Sequence, residues 1–507
     1  MKKLSITFML IVVGTLLSNI LGFVRELLLA YKYGTSEVVD IYVISTTLPI
    51  TVFALFLTAM TTTYIPTVSK LDKKRLSSDD VNYFTSNLIN FVLCITVLIF
   101  VICICFTEQI LTLFAIGFSE NSMEIAVNLT RKMFLGIFPI AVYMILQNYL
   151  NFKNKFTAVA FIGAILNVAW IIGILFSTQE NLVPIAIGNI IGYLIVAVFI
   201  TILAIKRDFK YYPYLNLKNE DLKKIISLAF PVFLGLSVTQ LNVIVDRSIA
   251  TTIGTGIVSI LNYSSRLLFF VYGITVIPFI TIAYPRLSNI FVENKAQFKD
   301  EVIKGVLINI FMLLPLTIFI FIYSTEIVKV IFARGAFNEN DIVMTSFSLR
   351  FYILSLIGLG IREWFSKVFY IMEDARTPLK NGALLVLMNI SITLLGVIVF
   401  DMGYKILSIS TSAATLIALI TYFFQLNKKL QLNILKNNIY IKDTIKLMIA
   451  NIISLIILLV FRAIVNDEHY MMNLIIGFLI YMCCYVVTIW SLKFSIIKAY
   501  FTKMHTG

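Results

Sequence analysis

The chain has 507 residues, 59% of them hydrophobic and 13% charged, and a mean hydropathy of +0.94. A soluble protein of this length cannot hide so much apolar surface, so the composition excludes soluble enzymes and binding modules and indicates a polytopic membrane protein. The formal charge of +14 would suggest nucleic acid in a soluble chain, but here the basic residues fall in short loops between apolar runs, as in cytoplasmic loops, and no nucleic-acid partner is expected.

Met1-Lys2-Lys3 precedes an apolar run that continues into Arg25 with no small-residue cleavage site, so it reads as a first crossing and not a signal peptide. Further runs lie near 38–66, 81–107, 122–150, 156–177, 182–205, 222–252, 256–284, 302–324, 342–370, 382–400, 406–426, 444–465 and 473–492. With the first, near 6–30, they predict 14 transmembrane helices in an all-α protein. The runs are continuous, unlike the short alternating segments of a β-barrel.

The loops alternate in charge. Basic sets include Lys70, Lys73, Lys74 and Arg75; Lys153 and Lys155; Lys206 to Lys224; Arg286, Lys295 and Lys299; Arg376 and Lys380; Lys428 to Lys442; and Lys493, Lys498 and Lys503. The intervening stretches Thr107–Asn121 and Asn466–Met472 carry acids and no Lys or Arg. This predicts an even helix count with both termini cytoplasmic in a bacterial inner membrane. The five cysteines sit in apolar runs, away from His469 and His505, and read as small core residues.

The stretch Gly22 to Pro49 organises the rest. It places Arg25, Glu26 and Asp40 in or beside apolar segments, where an ionised group costs about 2.5–3.5 kcal/mol unless it meets a partner, water or a polar substrate. An internal repeat supports a two-lobed transporter. Ala30, Gly34 and Thr35 recur as Ala250, Gly254 and Thr255, and Tyr64, Pro66 and Ser69 resemble Tyr284, Pro285 and Ser288. The segments 152–157 and 373–377 share the offset, each before a helix carrying an Asn, Asn167 or Asn389. A six-helix unit repeated in parallel predicts an N-lobe over 1–206, a linker over 207–221, a C-lobe over 222–428, and two added helices with a tail over 429–507.

Four patches carry a family resemblance: Ser18-Asn-Ile-Leu-Gly-Phe-Val-Arg25 with Gly34 and Asp40; Val245-Asp246-Arg247 with Ala250, Leu261-Asn262-Tyr263 and Arg266-Leu267; Phe332-Ala-Arg-Gly-Ala-Phe337; and Phe369-Tyr370 with Asp374-Ala-Arg-Thr-Pro378. Through them the chain resembles the lipid II flippase family (MurJ, or MviN) of the multidrug/oligosaccharidyl-lipid/polysaccharide exporter superfamily. The resemblance implies 14 helices, two lobes, a central cationic cavity and export of an undecaprenyl-diphosphate-linked sugar by alternating access. Arg25, Asp40 and Arg266 match charged cavity positions of the family. Other family charges are absent: Asn19 replaces an Arg, Ile50–Thr58 lacks the usual arginines and acidic-Gly turn, and Ser265 replaces an acid.

A diphosphate suits the planar fork of arginine, so Arg25 and Arg266 are the candidate substrate contacts. The opposing reading is a structural pair of Arg25 with Asp40 or Glu26. Asp40 is expected to hold or release an arginine. Arg362 is a candidate for a cation lost elsewhere, although Arg362, Glu363 and Lys367 also read as a local ion-pair group, with Glu363 and Lys367 at pairing distance along a helix. Gly22, Gly34, Gly254 and Pro49 are candidate hinge or packing points. The resemblance adds a sodium site, for which Asn242, Asp246 and Asn389 are candidates; proton coupling through Asp246 gives the same pattern. No other cofactor is expected, and a monomer in contact with membrane lipids is. Competing readings are export of another undecaprenyl-linked glycan, a cation-coupled drug exporter, which would want acidic cavity groups, a membrane glycan enzyme, which would want catalytic groups on a large outer loop, and a purely structural scaffold.

Overall fold

A computed structural model describes residues 2–49, 53–73, 78–431, 438–465 and 469–494. Lys74, Arg75, Lys436, Asp467, Glu468, Lys498, Lys503 and His505 lie outside the described residues, as do positions 50–52. Among the described residues no strand occurs. Backbone N–H and C=O groups find no water in a bilayer, and a helix satisfies them within one segment.

The chain divides into two compact units, Met1–Ser259 with Arg334–Phe337, and Ile260–Ala333 with Asn338–Gly507. Unit 1 holds α1 (Lys2–Tyr33), α2 (Glu37–Thr47), α3 (Phe53–Lys73), α4 (Ser78–Cys105), α5 (Thr107–Phe114), α6 (Glu120–Phe134), α7 (Ile137–Phe152), α8 (Phe156–Ala160), α9 (Ile162–Phe176), α10 (Val183–Ile205), α11 (Glu220–Ile253) and the first residues of α12 (Ile257–Glu293). Unit 2 holds the rest of α12, then α13 (Lys295–Ile322), α14 (Ser324–Phe332), α15 (Glu339–Tyr352), α16 (Ser355–Ile371), α17 (Arg376–Ile398), α18 (Lys405–Leu430), α19 (Asn438–Ile464) and α20 (Tyr470–Ser491). Among the described residues twelve segments are long and apolar enough to cross a bilayer, or thirteen if the pair α6–α7, bent by 42°, is one span. The run expected over 38–66 appears as α2 and α3, on either side of residues 50–52.

In unit 1 the long seam is α1 against α8 and α9. A Cβ on Gly14 would lie 3.0 Å from that of Ala160, and one on Gly22 would lie 3.4 Å from the Asn167 amide. Small residues one or two turns apart let two helices approach where lipid offers no hydrophobic drive for pairing. Lys32 closes the seam. Its ammonium donates to the carbonyls of Ile174 at 2.8 Å and Leu175 at 2.9 Å, and to that of Ser177. These carbonyls lie at the end of α9 and at its C-cap Ser177, where a cation is favoured.

A second tie joins α2 to the start of α12. Asp40 is buried, and its Oδ2 accepts from the Gly256 N–H at 2.6 Å while Oδ1 accepts from the Ser259 N–H at 2.7 Å. Gly256 has φ +83°, and a Cβ there would sit 2.1 Å from the Thr35 carbonyl oxygen, so only glycine fits. The loop Arg334–Phe337 also belongs to unit 1: Ala336 N–H donates to the Tyr31 carbonyl at 2.8 Å.

In unit 2, Trp364 lies flat on α13 and donates from Nε1 to the Val302 carbonyl at 3.0 Å, in space that a Cβ on Gly305 would fill. Between α16 and α17, Asp374 accepts from the N–H groups of Arg376 and Thr377 at 3.0 Å each, from the Thr377 hydroxyl at 2.7 Å, and from Lys429. The Lys429 ammonium, then the Thr377 hydroxyl, hold this carboxyl well below the usual carboxylate range.

Two predictions follow from these ties. Asp40→Ala strands two buried N–H groups at a helix start, and should cost about 2–4 kcal/mol in a thermal melt of the purified protein; Asp40→Asn, which keeps one acceptor, should cost less. Asp374 has a folded pKa depressed below its unfolded value. Its stabilisation is therefore complete above the ordinary Asp range, about pH 4, and is lost as pH falls through the lower folded value. The stability gap between wild type and Asp374→Asn should be constant near neutrality and shrink only in strong acid; a gap that closes near pH 7 would contradict the assignment.

Candidate transport site

Arg25 and Glu26 are both buried in unit 1. Arg25 Nη2 donates to Glu26 Oε1 at 2.6 Å, and Nη1 donates to Asn167 Oδ1 at 3.2 Å. The guanidinium carbon lies 4.5 Å from the ring centroid of Trp170. Successive helical residues point to different sides, so this pair forms because the packed interior receives both side chains. Asn167 holds the arrangement: its Nδ2 donates to the carbonyls of Ser18 at 3.1 Å and Gly163 at 2.9 Å, which leaves its oxygen for Arg25. Beyond Trp170, Tyr193 packs edge-on at 6.0 Å and stacks on Tyr143 at 6.1 Å. The carboxylate and the amide meet the two terminal nitrogens of the cation and the indole meets its face, while the buried Nε has no hydrogen-bond acceptor among the described residues.

Asp40 belongs to the same unit, but its two oxygens meet backbone N–H groups and not a guanidinium. Of the candidate hinge positions, Gly22 packs on Asn167, and Gly34 adopts φ +59° as it closes α1. Gly254 follows α11 in extended backbone that any residue adopts, and Pro49 lies two residues past the end of α2, beside the undescribed positions. Asn242 and Asp246 sit one turn apart on α11, with Asn242 Nδ2 donating to Asp246 Oδ2 at 3.2 Å.

Asn389 lies in unit 2, buried on α17, where it accepts from Thr393 at 3.5 Å; Thr393 in turn meets Ser410 at 2.7 Å. Arg266 is exposed on α12. Arg362 on α16 donates from Nε to Asn381 Oδ1 at 3.0 Å, and the buried Asn381 donates to the Ala418 carbonyl at 2.8 Å and Thr421 at 3.1 Å. Glu363 and Lys367 pair at 3.1 Å, as their spacing predicts. Among the described residues no three His, Cys, Asp or Glu side chains group as a metal set.

Sequence reasoning did not anticipate Trp170, Asn381 or Gly256. Asn167 did carry a signal, as the amide within a strongly apolar run. An uncharged polar residue there invites the question of what it binds.

A family model described as Lipid II flippase MurJ matches residues 29–484. A probable lipid II flippase MurJ from Buchnera aphidicola subsp. Acyrthosiphon pisum is 26% identical over 74% of this chain and 75% of its own length. One from Treponema pallidum is 24% identical over 83% and 81%. Among solved structures, a lipid II flippase MurJ in an inward closed conformation superposes with a TM-score of 0.82 at 25% identity, covering 96% of this chain and 99% of that one. A multidrug resistance MATE family transporter of the MOP superfamily, inward-facing, shares the fold, with a TM-score of 0.71 at 14% identity over 82% and 94%. The chain belongs to the lipid II flippase MurJ family.

Proposed function

We propose that this chain is a transporter and not an enzyme: a flippase that carries an undecaprenyl-diphosphate-linked cell-wall precursor, lipid II, from the inner to the outer leaflet by alternating access. The observation that carries this reading is the likeness to a lipid II flippase over nearly the whole of both chains. The basic loops support cytoplasmic termini in a bacterial cell, and a monomer is the unit of function in this reading.

In the state described, Arg25 is neutralised by Glu26. The diphosphate competes for that guanidinium with an acceptor set of the same kind, two oxygens in a plane. Glu26 thus takes the part the sequence suggested for Asp40: it holds the arginine when substrate is absent and yields it when a diphosphate arrives. Arg266 is the second phosphate contact, and Arg362 a further one. Coupling to sodium runs through Asn242, Asp246 and Asn389, or coupling to protons through Asp246 alone. Export of another undecaprenyl-linked glycan is the second reading, favoured by the family cations missing at Asn19 and over Ile50–Thr58.

Cells depleted of their own lipid II flippase test both readings. The wild-type chain should restore growth. Arg25→Ala should cut flipping by about ten- to a hundred-fold, the worth of one or two hydrogen bonds to a charged group, and the double variant with Arg266→Ala should not rescue at equal expression. Rescue by the double variant would remove the phosphate-clamp mechanism. Failure of the well-expressed wild type would favour another glycan. Arg362→Ala with unchanged transport would leave that residue a purely structural bond to Asn381.

A further inference from the structure

The segment 206–219 between α10 and α11 is neither helix nor strand, with turns at 206–208 and 217–218, and α4 reads its backbone with side chains. Asn82 Nδ2 donates to the Asp208 carbonyl at 2.9 Å. Ser86 accepts from the Tyr212 N–H at 3.1 Å. Asn90 Nδ2 donates to the carbonyls of Tyr212 at 3.3 Å and Tyr214 at 2.9 Å. Asn87 bonds Asn216 reciprocally, accepting from its N–H at 2.7 Å and donating to its carbonyl at 3.1 Å. Tyr83 stacks on Tyr212 at 3.9 Å, and the Tyr149 hydroxyl donates to the Arg207 carbonyl at 3.0 Å. Residues 82, 86 and 90 recur every four positions, so they form one stripe of α4.

This stripe fixes what the strap shows to its surroundings. It leaves Leu215 and Leu217 exposed by more than 40%, as are Tyr211, whose hydroxyl donates to Asn90 at 2.6 Å, and Tyr214, whose ring meets Tyr83 edge-on. Among them stand Lys206, Arg207, Lys210 and Lys218, all exposed. Residues 205–224 carry six basic side chains against three acidic ones. From Asn82 to Asn90 the helix rises about 12 Å, so the strap runs from the mouth of α4 along its first turns instead of standing off in the cytoplasm. Exposed aromatic and aliphatic groups interleaved with cations at the end of a membrane helix suit the boundary between headgroups and acyl chains. A soluble acidic partner would complement the lysines and leave the leucines wet.

We propose that the strap 206–219 is a docking surface for anionic phospholipid headgroups, with Lys206, Arg207, Lys210 and Lys218 taking the phosphates and Tyr214, Leu215 and Leu217 seated among the acyl chains. The inference does not depend on which substrate is flipped.

The full chain, reconstituted in vesicles of phosphatidylglycerol and phosphatidylcholine and then re-extracted, tests it through the ratio of the two lipids retained, read by mass spectrometry. Wild type should enrich phosphatidylglycerol, and high salt during extraction should reduce the enrichment. Each cation removed should weaken retention by about five-fold, so Lys206→Gln/Arg207→Gln/Lys210→Gln/Lys218→Gln should bring the ratio close to that of the vesicle. Tyr214→Ser/Leu215→Ser/Leu217→Ser keeps the charges and should lower retention of both lipids. Lys295→Gln/Lys299→Gln, on α13 and outside the strap segment, should change neither. Enrichment that survives in the four-cation variant, or that falls as far in the Lys295/Lys299 control, would overturn the proposal. Wild-type enrichment insensitive to salt would overturn it even if the four-cation variant failed to fold.

Discussion

The pairing of Arg25 with Glu26 is the interaction on which the rest of unit 1 turns. Neither charge is tolerable alone in a low-dielectric interior, because removing an ion from water costs several kcal/mol even after the surroundings relax. Together, with the Asn167 amide and the Trp170 face, they form a set in which most donors and acceptors are met. The helices that supply the set are then fixed in register. Asn167 reaches Arg25 only if α1 and α9 are close enough for Gly22 to sit under its amide. A charged pair in the membrane is thereby converted into a packing specification for its neighbours.

The same rule explains where polar groups appear elsewhere in the chain. Helix ends carry unpaired N–H and C=O groups, and these cost most where water is excluded. Asp40 meets the first N–H groups of α12, Lys32 meets the last carbonyls of α9, and Asp374 meets the first N–H groups of α17. Each side chain has the sign that the helix dipole favours at that end. Charges that composition alone marks as anomalies in an apolar chain prove to be closures of helices.

Much of this was legible before any coordinates. Long apolar runs fixed the helical class, because period and length leave few other options in a bilayer. The i,i+4 pair of Glu363 and Lys367 was legible too, since a single helix determines it. Arg25 had Asp40 and Glu26 as alternative partners with nothing to choose between them, and the partners of Asp40 were not legible. Glu26 is the immediate neighbour of Arg25, and helical geometry argues against such a pair until tertiary packing turns both side chains inward. Asp40 carries a charge that sequence reading assigns to another charge, whereas the structure supplies backbone dipoles from residues more than two hundred positions away. Backbone groups are invisible in a sequence because every residue has them. Gly256 was missed for a related reason: its role depends on the approach of Thr35, not on its own neighbours.

The pairing also governs how substitutions in this site are to be read. Removing Arg25 alone takes from the buried Glu26 its ion-pair partner, so the loss includes that pairing as well as any missing substrate contact. Lysine keeps the charge but has no planar fork to bridge Glu26 and Asn167 together. A phosphate-binding role is therefore separated from a structural one only by comparing the single change with the simultaneous removal of both charges. If the guanidinium serves only to neutralise Glu26, the double removal restores most of what the single change destroys. If it serves to meet a diphosphate, the pair can vanish together, the helices can repack, and transport still fails, because an uncharged interior has nothing to offer the phosphate oxygens.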